Sequence, residues 1–472
     1  MSSRIVVIGA GLGGLASSAL LAKAGHDVTL LEGQEWVGGK SRRIELAGQR
    51  LDTGPSLVTF PGVWEQVLTT WDELGSGGES AAAVAGVTLE RLPEVGRYYY
   101  RSHEANLPVE PGHPWHDAWQ RFENEHGVLG PAITTLLTSD PWDPKIYSAL
   151  GELLSRYRTR LTTQAFLDGL SWMPAELKDV IAIHTLNAGV APSQTLALYA
   201  TMAAVMARDG VFVPRGGVYE IARGLEALAR HSGVDIHTSE PVVSVEKGVV
   251  TTAQATYVAD YVVSALDGGI LENLMGKAPG KPPAKLSCSG VAIFGVLDEE
   301  LPDHVVTHSV MMPDDPGALF DSLGKREMPT QTMAFLNYYR AGHIYPNDAP
   351  VAALLLTAPP NGKSASMDDS FVQEESRRFS DILGLKRPIT DMMSESMMLD
   401  PEYFAGFGAV GGALYGEPAP WWRSGPFHAP PYNSARTPWL WRVGSTVHPG
   451  GGIPAVLGGV LISTRRMLEK LG

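Results

Sequence analysis

Residues 4 to 32 read RIVVIGAGLGGLASSALLAKAGHDVTLLE. Arg4 to Ile8 is a short apolar run of the kind a buried parallel strand uses. Gly9, Gly11 and Gly14 follow as G-x-G-x-x-G. The first permits a tight turn out of the strand, the second lets a pyrophosphate approach the backbone, and the third lets a helix pack closely on the strand. Leu12, Leu15, Ala16, Ala19 and Leu20 recur at helical spacing, Gly25 is placed as a C-terminal cap, and DVTLL is a second strand ended by Glu32. A carboxylate there accepts both hydroxyls of an adenosine ribose and repels a 2′-phosphate, which favours FAD or NAD over NADP. Two further glycine patterns, Gly406-Gly408-Gly411 and Gly450-Gly452-Ala455, match loosely but lack the strand, helix and acidic strand end.

The chain has 472 residues, room for two or three domains with buried cores, and 44% hydrophobic against 19% charged residues marks it as globular. No apolar run approaches the ~20 residues that span a bilayer. MSSRIVVIGAG enters the first strand at once, so no signal peptide is expected. A single cysteine, Cys288, excludes a disulfide scaffold, a CxxC pair and a thiolate zinc site, and a reducing cytoplasm is the expected compartment. A net charge of −14 suits neither nucleic acid nor simple attraction to anionic lipid, so any membrane contact would be made by apolar surface.

Gly38 and Gly39 form a second backbone-accessible turn, followed by Lys40, Arg42 and Arg43, and LDTGPS holds Asp52, Gly54 and Pro55. Residues 65–209 are read as mainly helical by period. Their uncharged run Ala197 to Ala207 is either a core helix, the wall of a greasy tunnel or a bilayer contact. Tyr98 to Tyr100 read as a strand in a half-buried sheet. From Phe212 the pattern returns to turn, amphipathic helix and short strands. Residues 286–430 carry strand-like runs and the Pro- and Trp-rich loop GEPAPWWRSGPFHAPPY. WLWRVG is a late strand, and IPAVLGGVLISTRRMLEKLG is a helix with Pro454 in its first turn, fed by Gly450 to Gly452. The expected architecture is α/β: a discontinuous Rossmann-like FAD-binding domain (1–64, 210–285 and 431–472), a helical subdomain (65–209) able to face a membrane, and an inserted mixed-sheet substrate domain (286–430). A nicotinamide enzyme usually completes its sheet before the substrate domain. A ligand touched by both ends of the chain is better explained as a held flavin.

The stretches VVIGAGLGGLASSALLAKAGHDVTLLE…VGGKS, LDTGPSLVTFP, VPRGG, HSVMMPDDPGALFDSL and VGSTVHPGGGIPAVLGG, in order along nearly the whole chain, resemble the bacterial phytoene and carotenoid desaturases. The first is shared with many amine-oxidase-type flavoproteins; the later ones are narrower. Val447-His448-Pro449 replaces the family's usual Thr before His-Pro, and Gly444-Ser445-Thr446 its Gly-Ala-Gly. The resemblance implies that Gly9, Gly11, Gly13 and Gly14 cradle a non-covalent FAD pyrophosphate and Glu32 the ribose. It further implies that Gly39, Lys40 and Ser41 lie along the diphosphate and ribityl side, and that Val242 meets the adenine through its backbone. Gly444, Ser445, Gly452, Ile453 and Pro454 would reach the flavin's far end. The implied substrate is a lipophilic polyene taken from the bilayer by a peripheral protein at the inner face of the cell membrane, with quinone or oxygen as electron acceptor.

Such a reaction would pass a hydride from an allylic carbon to flavin N5 and lose a proton from the neighbouring carbon. The last helix's amino end would face the reduced ring's negative charge. His448, Asp52 and Arg42 are the candidate acid–base residues, each with a structural alternative. A flavin-dependent cis–trans isomerase, an amine oxidase on soluble substrates and a pigment-binding protein with a degenerate flavin site are the alternatives. His103, His113 and His116 lie in a Pro-rich loop without a second ligand set, so no metal is expected.

Overall fold

A computed structural model describes residues 2–75, 77–278, 283–418 and 429–472. Strand Arg4–Ile8 pairs in parallel with Asp27–Leu31 on one side and Tyr261–Ser264 on the other. The sheet then continues to Asp235–His237 beyond Asp27–Leu31, and to Thr437–Arg442 and the short antiparallel Asn433–Ser434 beyond Tyr261–Ser264. One sheet thus takes strands from three distant stretches. Its central strand is apolar from Ile5 to Ile8, because helices cover one face while Val245, Val250 and Leu271 pack on the other. Helix Leu12–Lys23 is buried from Gly13 to Ala22, wedged between helices Glu220–His231 and Ile453–Leu471. That double contact explains why it has no polar face.

A second sheet of seven strands runs Met393–Leu399, Ser289–Leu297, Val351–Ala358, Ala334–Tyr339, His308–Met311, Gly96–Tyr100 and His103–Leu107. All its neighbours are antiparallel except His308–Met311 with Gly96–Tyr100. The span 65–209, read as mainly helical, therefore donates two strands here. Tyr98, Tyr99 and Tyr100 are all buried, rather than half-buried, because the sheet is covered on both faces at that point. One face packs Ile293, Leu336 and Leu354 on Val372 and Phe379 of helix Ser370–Ile382. The opposite face, with Tyr98, Phe294, Val310 and Phe335, turns toward the first sheet's helices and shares their core.

A helical layer closes the space between the sheets: Pro61–Glu73, His116–His126, Gly130–Thr138, Pro144–Tyr157 and Leu198–Asp209, with Ile453–Leu471 against them. Helix Leu198–Asp209 buries Ala200, Thr201 and Ala203 to Met206, and Thr201 Oγ1 lies 2.6 Å from the Tyr157 hydroxyl. Its apolar run is core, with only Leu198, Tyr199, Met202 and Ala207 partly accessible. A three-stranded antiparallel sheet, Val242–Glu246, Val249–Thr252 and Thr256–Val258, flanks the first sheet. Among the described residues no helix is long and apolar enough to cross a membrane. Most of the Pro- and Trp-rich loop, including Trp421 and Trp422, lies outside the described residues.

Candidate functional site

The chain leaves strand Arg4–Ile8 through Gly9, whose φ of +93° only glycine adopts freely, and Gly9 N–H donates to Leu31 O at 2.8 Å. The helix beginning at Leu12 has Gly11 as its N-cap and no side chain bonded to its first amides. Nothing lies within 4 Å of where a Cβ on Gly11 would sit. Free amides, a positive helix end and open space in front of them make a cradle for a diphosphate. A Cβ on Gly14 would instead fall 1.8 Å from Gly9 O, so the third glycine is a packing requirement.

Glu32 ends the next strand beside this space. Its Oε2 accepts from Ala10 N–H at 2.7 Å and its Oε1 from Gln34 N–H at 2.9 Å. The carboxylate is thereby held in place with lone pairs still free for a ribose. Val242 is brought to the same side, because Glu240 N–H donates to Glu32 O at 2.8 Å and Gly33 approaches Pro241. The second glycine turn closes over the first: Gly38 N–H donates to Ala10 O at 2.7 Å, and a Cβ on Gly39 would lie 3.1 Å from Gly11 Cα. Ser41 follows, buried, with its N–H on Gly38 O.

The far end of the chain meets the same turn. A Cβ on Gly13 would lie 3.3 Å from both Cα and N of Gly444. Gly444, at φ +97°, follows Val443, whose N–H donates to Ser264 O on the central sheet. Ser445 and Gly452 are exposed, and Gly452 is the N-cap of helix Ile453–Leu471, again with no side chain on its first amides and with Pro454 in its first turn.

Two side chains flank this turn. Tyr415 is 42% exposed, yet desolvation drives its hydroxyl well above the ordinary tyrosine range. Lys40 is exposed, yet desolvation lowers its ammonium pKa, and its Nζ donates to Leu414 O at 3.3 Å. On the inward face of the seven-stranded sheet Phe335 and Leu355 remain partly accessible although their strands are central, as does Met333 just before strand Ala334–Tyr339.

The proposed acid–base residues occupy different settings. Asp52 lies opposite Arg43 in the hairpin Arg42–Leu46/Gln49–Thr53. Arg43 Nε and Nη2 donate to Asp52 Oδ1 and Oδ2 at 2.9 and 3.3 Å, and Tyr219 N–H donates to Oδ2 at 2.9 Å. Arg43 also reaches Glu220 Oε1 at 2.8 Å and Gly216 O. Burial pushes the Asp52 carboxyl above its ordinary range, against the pull of Arg43. Arg42 instead stacks over Trp36, 4.1 Å from the ring centroid. His448 lies in the 444–452 turn but packs against the helical layer: its carbonyl accepts from the Tyr432 hydroxyl at 2.8 Å, and Leu136 O faces its ring. Burial lowers its pKa to about 4, leaving it neutral. The structure thus gathers the glycines, Glu32, Lys40, Ser41 and Gly444 at one turn, and holds Asp52 in an ion-pair cluster behind Gly38, linked through Tyr219, whose hydroxyl donates to Val37 O at 3.1 Å. His103 and His113 stack around Trp115. Arg43, Tyr415 and the inward-facing sheet residues were not singled out from sequence. Hairpin register could have found Arg43; the others depend on strands far apart in the chain.

A two-glycine-turn cradle with an acidic strand end, closed by the chain's last helix, defines a dinucleotide oxidoreductase. Residues 12–288 match the flavin containing amine oxidoreductase family, and the chain belongs to that family. It is a flavin-binding oxidoreductase. The zeta-carotene-forming phytoene desaturase of Myxococcus xanthus is 26% identical, over 99% of this chain and 93% of that protein. The hydroxyneurosporene desaturase of Cereibacter sphaeroides is 26% identical, over 96% and 94%. Among solved structures, an oxidoreductase from Methanosarcina mazei superposes with a TM-score of 0.60 at 19% identity, covering 99% of this chain and all of the other. A putrescine oxidase triple mutant gives 0.62 at 14%, covering 100% and 98%. These superpositions establish a shared mixed α/β fold.

Proposed function

We propose that this protein is a carotenoid desaturase that uses non-covalently held FAD. The observation that carries the reading is the approach of Gly444 to Gly13, which sets both chain ends around one open glycine turn. Full-length similarity to desaturases of phytoene and hydroxyneurosporene supports a polyene substrate. Glu32 supports the adenosine half of FAD, with Gly9 to Gly14 and Gly39 to Ser41 along the diphosphate and Val242 toward the adenine. Gly444, Ser445 and Gly452 to Pro454 are assigned to the ring end. In this reading 1–64, 210–285 and 431–472 form the flavin domain, and the remaining sheet and helices form the substrate side.

A bound flavin supplies the hydride acceptor. The chain's residues then have three tasks. Met333, Phe335 and Leu355 hold an extended polyene and exclude water. The free amides at Gly452 and Ile453 present a positive helix end to developing negative charge. Asp52 keeps its loop in place through Arg43 rather than moving a proton.

A second part of the reading concerns substrate delivery. Helix Pro144–Tyr157 buries Ile146, Ala149 and Leu153 and turns Tyr147, Leu150 and Leu154 outward at 63, 40 and 51% exposure, beside Trp142 at 67%. An apolar stripe followed at its C-terminal end by Arg156, Arg158 and Arg160 fits the interface of a bilayer, consistent with a peripheral protein. Quinone or oxygen completes the cycle as electron acceptor.

The test is anaerobic mixing of the flavin-loaded protein with an acyclic carotene. Loss of the oxidised flavin band, matched by a gain of double bonds, is the expected result. A polyene that changes geometry without bleaching would make the protein an isomerase. Bleaching by soluble amines alone would overturn the assignment.

A further inference from the structure

The C-terminal turns of helix Ile453–Leu471 and the loop before helix Pro144–Tyr157 line a surface cavity of about 540 Å³. Ile462, Arg465, Arg466 and Glu469 recur at i, i+3, i+4 and i+7, so one face of the terminal helix presents all four to Asp140, Trp142 and Asp143 of the loop. Arg466 and Asp140 neutralise each other: Arg466 Nη2 donates to Asp140 Oδ1 at 2.7 Å, and its Nε donates to Oδ2. Arg465 is exposed and makes no ion pair among the described residues, although its charge reaches Asp140. Asp143 caps the helix by accepting from Lys145 N–H through Oδ1 at 2.9 Å, which leaves Oδ2 for a ligand. Glu469 is exposed beside Arg466. The cavity therefore offers a ligand one guanidinium and two carboxylates. A simple anion is repelled by that set and a simple cation meets Arg465, whereas a group that carries phosphate and ammonium together satisfies both signs.

The cavity also has a fixed relation to the apolar stripe. Asp143, Tyr147, Leu150 and Leu154 stand at i, i+4, i+7 and i+11, one continuous helix face. Asp143 lies one turn, about 6 Å, before Tyr147, so the charged cavity opens at the head of the exposed stripe. We infer that this cavity binds the zwitterionic headgroup of a phospholipid, with the phosphate on Arg465, the ammonium between Asp143 and Glu469, and the acyl chains in the bilayer that the stripe faces. This rests on the membrane-facing reading of the helix given above. A chain with a net charge of −14 is repelled by an anionic leaflet, and a zwitterionic headgroup lets it dock without that penalty. The stripe supplies insertion, and the cavity selects the lipid.

The experiment measures flotation of the flavin-loaded full-length protein with vesicles of phosphatidylcholine, phosphatidylglycerol or uncharged digalactosyldiacylglycerol, all with the same acyl chains. Phosphatidylcholine is expected to bind about 10-fold more tightly than either of the others. Arg465→Ala should lower that affinity to the level of the uncharged lipid, whose own binding stays unchanged. Asp143→Asn combined with Glu469→Gln keeps an effective helix cap and turns the cavity's excess of one negative charge into one positive charge, so phosphatidylglycerol should then bind better than phosphatidylcholine. Retained flavin absorbance reports folding, and if the double variant loses its flavin, the wild-type ranking and Arg465→Ala decide. Equal binding of the three lipids by the wild type, tighter binding of phosphatidylglycerol, or undiminished phosphatidylcholine binding by Arg465→Ala overturns the headgroup site and leaves the apolar membrane face standing. Absence of binding to every vesicle removes both.

Discussion

At the scale of single residues, geometry separates neighbours that look equivalent in the sequence. Arg42 and Arg43 are adjacent, but only Arg43 faces Asp52 across the hairpin, with side chains 15% and 3% exposed. Removing Arg43 strands a buried carboxylate. Arg43→Ala should therefore cost about 3–5 kcal/mol, whereas losing the Arg42 stack on Trp36 should cost about 1 kcal/mol or less. Urea denaturation of the two variants checks the contrast, and equal midpoints would show that the Asp52 cluster is not under load. Glu32 makes a second case. Its carboxylate serves two backbone amides at once, so Glu32→Ala leaves Ala10 and Gln34 N–H unpaired as well as removing the ribose contact. Flavin retention on dialysis should fall, with affinity weaker by about 10- to 100-fold, corresponding to 1–3 kcal/mol. Full flavin occupancy in the variant would contradict the assigned role.

Secondary-structure elements carry the next set of consequences. Helix Pro144–Tyr157 buries Ile146, Ala149 and Leu153 and carries a second apolar stripe, Tyr147, Leu150 and Leu154, on its otherwise polar outward face. Sequence periodicity marks it as a helix and cannot say which apolar residues are left uncovered, because that depends on what packs behind it. Replacing Tyr147 and Leu154 together by Asp should leave thermal stability nearly unchanged, as exposed substitutions usually shift it by only about 0.5 kcal/mol. The same change should abolish sedimentation with phosphatidylcholine vesicles. Undiminished vesicle binding would place the membrane face elsewhere. The terminal helix Ile453–Leu471 was legible as an element from its glycines and Pro454. Its partner was not, since only the tertiary fold lays Gly444 on Gly13 and Gly459 beside the His448 carbonyl.

For the molecule as a whole, burial of neutral imidazoles sets its response to acid. His126, His184, His308 and His448 are each lowered to about 4, desolvation being the leading cause in every case. In the unfolded chain they titrate near 6.5, so between pH 6.5 and 4 the unfolded state binds more protons than the folded one. Stability must then fall as pH drops through that window, by roughly 1 kcal/mol per pH unit for each such histidine, and level off below it. Urea midpoints at pH 7, 6 and 5 measure the slope, and His126→Phe should reduce it. A flat profile would show that these rings are solvated.

Much of the architecture was readable along the chain. The first strand–turn–helix, the acidic strand end, the second glycine turn and the last helix are all local patterns, because a parallel strand and a tight glycine turn are specified by adjacent residues. Within 65–209 the strand around Tyr98 to Tyr100 was legible, but not its place in the second sheet, because its parallel neighbour His308–Met311 lies more than two hundred residues away. The candidate site divides in the same manner. Sequence alone determined which residues could hold a dinucleotide, since backbone clearance at Gly11 and Gly39 and a carboxylate at Glu32 are properties of residue type and short spacing. Only the tertiary structure decided which side chains line the inward face of the second sheet and which arginine neutralises Asp52. Those facts arise from pairing register between distant strands and from exclusion of water, and neither is encoded in any contiguous stretch of the chain.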